Sequence, residues 1–267
     1  MIKLRAKLFF LVVVCICGAC KKVIQIDLNS SSPRIVIEAN ISNQPGPYTV
    51  KLSRSVNFNQ SNVFPPISGA KVKLSDEGSV VNETLIETSP GTYKTKLIKG
   101  IAGHTYLLSV TDNGQVYEAS SYLPPPVDIL ELTVEQSFDR DKRINVSYSD
   151  PAGIPNYYRC IEIVNDTTLS DISVDNDLFK DGAVITQTIS NDLSKYKLKR
   201  GDRVTVLLQT IDKGTYEYFR TLANILLQDG GSGPPPTTPS NPLSPFTNNA
   251  LGYFNTYSVT SKSITLP

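Results

Sequence analysis

Reactive side chains are scarce in this 267-residue chain, which has no tryptophan, one histidine, one methionine and four cysteines. A single histidine, His104, leaves a multi-histidine zinc site or a Ser–His triad little to work with. It sits in Gly103-His104-Thr105-Tyr106 and reads as a solvent-facing turn residue. No Gly-x-Gly-x-x-Gly or phosphate-cradling loop is present. The lack of tryptophan removes the usual sugar-stacking platform, although 13 tyrosines are available. Charge of one sign is also missing. Without the three cations before residue 20, the body carries about 23 basic residues against 25 acidic ones. It therefore has no electrostatic footprint for nucleic acid and no polybasic membrane patch.

The apolar run near the start is short. Leu8 to Ile16 falls well below the roughly 20 residues that a membrane-spanning helix needs. Lys3, Arg5 and Lys7 precede it, and Gly18-Ala19 forms a small-residue cleavage site before Cys20. An ordinary secretory signal or a short anchor would share the first two features. The small pair abutting a cysteine resembles the lipobox of a bacterial lipoprotein, although Cys17 stands where leucine is usual. The expectation is a signal peptide over 1–19, cleavage between Ala19 and Cys20, and lipid on Cys20. Residues 20–32 would then be a tether, at most roughly 40 Å long. Cys15 and Cys17 leave with the leader, so Cys160 has no partner thiol. In an apolar run it reads as a buried small hydrophobe.

The rest is β-patterned. Tyr48, Val50 and Leu52 alternate with polar residues, as do Ala70, Val72 and Leu74, and then Tyr106, Leu108 and Val110. Turn signals such as Asp76-Glu77-Gly78 and Asp112-Asn113-Gly114 separate the runs. The spacing predicts an immunoglobulin-like β-sandwich over 33–123. Pro124-Pro125-Pro126 reads as a boundary, and 127–267 as a second β-rich, sandwich-like domain. Phe219, Leu222, Ala223 and Leu226 predict one α-helix near 213–228, with Asp212 or Thr215 as N-cap and Gly230-Gly231 as its stop. Residues 229–245 form a Pro/Gly-rich loop, and the final segment reads as a strand returning to the second sheet. The fold class is thus all-β, with two sandwich-like domains and one helix in the second.

Acidic clusters offer the remaining chemistry. Asp175-Asn176-Asp177 followed by Asp181-Gly182 has the oxygen-rich look of a calcium loop, but position 12 is Thr186 instead of the bidentate glutamate. Asp175, Asp177 and Asp181 are the candidate metal ligands, weighed against a plain polar turn. No cofactor and no catalytic residue is predicted.

Several ordered stretches resemble a known family. They include Cys20-Lys21-Lys22-Val23-Ile24, Arg34-Ile35-Val36-Ile37-Glu38 and Gly46-Pro47-Tyr48-Thr49-Val50-Lys51-Leu52-Ser53. Pro90-Gly91-Thr92-Tyr93, Gly103-His104-Thr105-Tyr106, Asn156-Tyr157-Tyr158, Gly201-Asp202-Arg203-Val204 and Leu251-Gly252-Tyr253-Phe254 follow in the same order. The chain resembles the Bacteroidota lipoprotein family called domain of unknown function 4249. The resemblance implies an outer-membrane-associated lipoprotein, on the periplasmic or the cell-surface face, whose members often lie near TonB-dependent receptors. It supplies no activity and no site beyond the lipidated Cys20. The expected function is a non-catalytic binding or accessory module beside such a receptor. A carboxylate-dependent hydrolase and a structural or adhesive envelope protein are the alternatives.

Overall fold

The computed structural model describes residues 32–57, 60–61, 63–79, 81–136, 142–189, 198–229 and 241–267. Among them the chain is nearly all β, with one helix. The first half supplies β1 (Ile35–Ser42), β2 (Thr49–Arg54), β3 (Lys71–Asp76), β4 (Val81–Thr84), β5 (Ile86–Ser89), β6 (Thr92–Lys94), β7 (Thr105–Asp112) and β8 (Gln115–Tyr122). The second half supplies β9 (Ile129–Gln136), β10 (Lys142–Ser149), β11 (Tyr157–Val164), β12 (Thr167–Thr168), β13 (Ser173–Asn176), β14 (Val184–Ile189) and β15 (Arg203–Ile211). Helix α1 (Lys213–Asp229) and β16 (Leu251–Thr265) complete it.

Period-two burial builds both sandwiches. Along β1 the residues Ile35, Ile37, Ala39 and Ile41 are buried while those between are half-exposed, so one face of each strand drives the packing. The sheet β4-β3-β7-β8 closes a first core with Ile37, Leu52, Leu74, Leu108 and Phe254. The sheet β14-β10-β9 closes a second with Ile144, Tyr148, Tyr158, Val206 and Leu208. The two cores are rich in residues from opposite sides of Pro124–Pro126.

The large sheet ignores that boundary. Its order is β12-β11-β15-β16-β1-β2-β6-β5, with β13 also on β11. The last strand does pair antiparallel with β15 in the second half, from Ile211–Tyr257 to Arg203–Thr265. It also pairs parallel with β1 in the first half, from Val36–Leu251 to Ser42–Tyr257. Tyr257 is the residue at which it passes from one to the other. Gly252 makes the parallel approach possible: its φ is +105°, and a Cβ there would lie 1.9 Å from the Ile37 carbonyl oxygen.

The proline segment is fastened to the same strand. Ser258 Oγ donates to the Pro124 carbonyl and Thr260 Oγ1 to that of Val127, both at 2.6 Å. Lys262 Nζ donates to the Leu130 carbonyl. Proline has no N–H to satisfy, so one hydroxyl meets the buried need of Pro124. Ser121 Oγ lies 2.9 Å from Thr256 Oγ1 and donates to Asp212 Oδ2 at 2.7 Å.

Asp212 also caps α1, its Oδ1 accepting from Thr215 N at 2.8 Å. This satisfies one of the free N–H groups of the first turn. The helix lies on the face of the large sheet opposite the cores, where Tyr216 meets Tyr157 and Phe219 meets Tyr253. Its buried side is Thr215, Tyr216 and Phe219. The predicted stripe runs out at Leu226, which is exposed, because the sheet supports only the first turns.

One buried group works against the second core. Glu162 faces inward between Cys160 and Val164, only 4% exposed, and neither carboxylate oxygen has a hydrogen-bond partner among the described residues. Burial, and then the charge of Asp171, push its pKa from 4.5 up to about 7. The folded state thus binds the proton more tightly than the unfolded chain. The contribution of Glu162 to stability is fully present below pH 4.5 and is lost, by roughly 3 kcal/mol in all, as pH rises to about 7. Urea titrations across that window should show the fall, and Glu162→Gln should flatten it. A second expectation concerns the cap. Asp212→Ala should cost about 1–2 kcal/mol by the same titration, and Asp212→Asn, which keeps the capping oxygen, clearly less.

Candidate functional site

Where β2, β1 and β16 lie side by side, their outward residues form a polar, tyrosine-walled groove. Register sets the composition. Glu38 stands between Lys51 and Tyr253, Asn40 between Thr49 and Asn255, and Ser42 beside Tyr257. The turn between β1 and β2 adds Pro45, Pro47 and Tyr48, and the cavity measures about 350 Å³.

Its floor is fixed by hydrogen bonds. Asn40 Nδ2 donates to Tyr253 Oη at 3.3 Å, and Asn255 Nδ2 donates to Asn40 Oδ1 at 3.2 Å. Asn255 is fully buried, and its Oδ1 has no partner among the described residues. Tyr253 is held from behind by Tyr218 and Phe219, with ring centroids 5.1 and 5.3 Å away. Arg159 lies 3.9 Å above the Phe219 ring. Burial, ahead of the nearby Glu38 charge, raises the Tyr253 phenol above its ordinary pKa. The hydroxyl is therefore neutral, and since it accepts from Asn40 its proton is free to point into the groove. Tyr48 braces the wall: its Oη accepts from Gly100 N at 2.8 Å and lies 2.7 Å from the Gln44 carbonyl.

Such a surface offers aromatic faces, a fixed amide, a carboxylate and an ammonium group. It can orient a small polar ligand by stacking and hydrogen bonding. Sequence reading saw the alternation in the last segment. It did not see that Tyr253 and Tyr257 share the outward face beside Asn40, because that needs the β1–β16 register.

The acidic candidates are partly regrouped. Asp177 and Asp181 come together with Asp150, which sequence reading did not single out, their oxygens all within 4.8 Å of one another. Asp175 stands apart from that set, with Lys180 Nζ 3.2 Å from its Oδ2. The three carboxylates are hard oxygen donors of the kind calcium takes. Each already accepts a backbone hydrogen bond: Asp150 from Gly182, Asp177 from Asn156 and Asp181 from Gly153, at 2.7–2.9 Å. Asp150 also accepts from the Tyr158 hydroxyl. The trio does not line the tyrosine-walled groove.

The two other reactive residues are far apart in use. His104 is not a solvent-facing turn residue. Its side chain is 24% exposed, and its Nδ1 lies 2.9 Å from Asp76 Oδ1. Burial raises the Asp76 carboxyl, but hydrogen bonds from Ser79, His104 and the Gly78 backbone outweigh it and hold the pKa below the usual value. Cys160 lies in the second core, where burial pushes its thiol up to about 12. Ala19 and Cys20 lie outside the described residues.

A family model described as "Domain of unknown function (DUF4249)" matches residues 21–263. No curated protein matches the chain. Among solved structures, a segment of two fibronectin type-III domains from chicken tenascin is similar at 11% identity and a TM-score of 0.23. That match covers 88% of this chain and 99% of that one. A putative carbohydrate binding protein from Bacteroides uniformis is similar at 12% identity and a TM-score of 0.24, covering 86% and 98%.

The groove floor makes a direct prediction. Asn40→Ala leaves the buried Asn255 amide with neither donor nor acceptor satisfied, so it should lower stability by about 1–3 kcal/mol in urea. Thr49→Ala, at the partly exposed neighbouring position, should change it by under about 0.5 kcal/mol.

Proposed function

We propose, for a chain that belongs to the family described as domain of unknown function (DUF4249), that it is a non-catalytic binding module of the bacterial cell envelope. It is moored at the outer membrane by lipid on Cys20 and works as an accessory beside a TonB-dependent receptor. The observation that carries the binding role is the groove. Its polar floor is locked by Asn40, Tyr253 and Asn255 before any ligand arrives, and preorganisation of this kind reduces the entropy lost on binding. The leader, with its cationic start, short apolar run and small residues before Cys20, supports the mooring. Among the described residues no helix is long and apolar enough to cross a membrane. More than one acyl chain is needed for stable anchoring, and a lipidated lipobox cysteine carries that many.

The anchor and the groove are tested separately. Mass spectrometry of the native product should find an amino terminus at Cys20 bearing acyl chains, and Cys20→Ser should release the protein from membranes. An unprocessed, lipid-free start would refute the mooring. For the groove, the absence of tryptophan leaves the emission of the 13 tyrosines unmasked, Tyr253 and Tyr257 among them, and a Tyr253→Phe/Tyr257→Phe variant identifies their share. Titration with monosaccharides and short peptides should give a saturable change that Tyr253→Ala and Lys51→Ala abolish. Gentle solubilisation and pull-down should recover a receptor barrel, and recovery of generic envelope proteins alone would count against the accessory role.

A further inference from the structure

Two opposite charges meet in the groove without joining. Glu38 on β1 and Lys51 on β2 are direct cross-strand partners. Opposite charges so placed ordinarily pair, with Cβ atoms about 5 Å apart. Both residues line the cavity, yet among the described residues neither makes an ion pair or a side-chain hydrogen bond. Other charges of this sandwich are engaged. Arg54 holds Asp112, and the Glu83 carboxylate accepts from the backbone N–H groups of Lys96, Leu97 and Ile98. Glu87 accepts from those of Gly69 and Gly91. The Glu38 charge is felt on the side of β1 away from Lys51. After burial, it helps to raise the phenols of Tyr253 on β16 and Tyr218 on α1.

The surroundings of each charge suit a different end of one ligand. A carboxylate beside tyrosine rings favours an ammonium group twice, by direct attraction and through the ring quadrupole. Tyr253 stands beside Glu38, and Tyr257 follows four residues along the same strand. Lys51, with the Thr49 hydroxyl two positions away on the same face of β2, favours a carboxylate. We infer, on the reading that this groove is the binding surface, that it takes the zwitterion of a free α-amino acid, its ammonium against Glu38 and Tyr253 and its carboxylate against Lys51. Charges carried on one carbon fit two side chains rooted opposite each other. Each peptide unit between them would part the charges by roughly another 3.5 Å. The ligand's side chain then lies along the roughly 13 Å from Glu38 to Ser42, over Asn40 and toward Pro45, Pro47 and Tyr257. No charged residue lines that end, so an apolar or aromatic side chain suits it. At about 350 Å³ the cavity has the size of a small-molecule site.

The test is calorimetric titration of the full chain with L-leucine and L-phenylalanine, at least one of which should bind saturably. The N-acetyl derivative, which lacks the ammonium, and the amide, which lacks the carboxylate, should each bind roughly 10- to 100-fold more weakly. Substitutions should match the missing group. Glu38→Gln should weaken the amino acid by a similar factor and leave the N-acetyl derivative unchanged, with circular dichroism unaltered. Lys51→Met should weaken the amino acid likewise and leave the amide unchanged. Derivatives that bind wild type as tightly as the parent would overturn the inference, and so would a Glu38→Gln variant that binds the amino acid normally. If a monosaccharide or a short peptide gives a signal that Tyr253→Ala abolishes, and neither amino acid binds up to roughly 10 mM, the inference falls while the groove stands as the binding surface. If none of these probes binds, both fall.

Discussion

The structure depends on β16 finding backbone partners in both halves. Along its fifteen residues the strand completes the β1 side of one sandwich and the β15 side of the other. Backbone N–H and C=O groups buried without partners are costly, so neither half of the large sheet is complete until β16 lies between β15 and β1. Its inward side chains extend the same logic, with Thr256, Ser258, Thr260 and Lys262 reaching in turn the segment from Ser121 to Leu130. A proline-rich connector that would otherwise permit two independent bodies is thereby stitched along its length.

The groove is a product of that arrangement. Tyr253 and Tyr257 arrive from the last strand, Glu38 and Asn40 from the first, and only the parallel β1–β16 pairing makes them neighbours. The helix is placed by the same region through Asp212 and Ser121, and its ring stack supports Tyr253 from behind. Burial lifts the Asp212 carboxyl, while bonds from Thr215 and Ser121 pull it back. Site, helix and inter-half junction thus share one set of polar contacts.

Much of the fold was legible because alternation is a local signal. Val50 and Leu52, Val72 and Leu74, and Leu108 and Val110 all face a core as their spacing implies. The helix was legible from its cap and period, though not how far the sheet would cover it. What local pattern cannot encode is pairing between distant strands. Pro124-Pro125-Pro126 resembled a joint because proline ends ladders, yet the continuity of the large sheet comes from residues more than a hundred positions later. The acidic group shows the same limit. Asp177 and Asp181 were visible as neighbours in sequence, whereas Asp150 joins them only through the turn of the fold, and Asp175 goes to Lys180.

The position of β1 has a mechanical consequence. It is an interior strand, bonded on one side to β2 and on the other to β16, and the chain runs into it directly from Pro33. A pull on the segment before it acts along the strand axis and loads both ladders at once in shear, instead of peeling bonds one after another. Rupture under force is governed by the barrier to unfolding. A first strand clamped between two neighbours therefore resists a pull on its amino-terminal end.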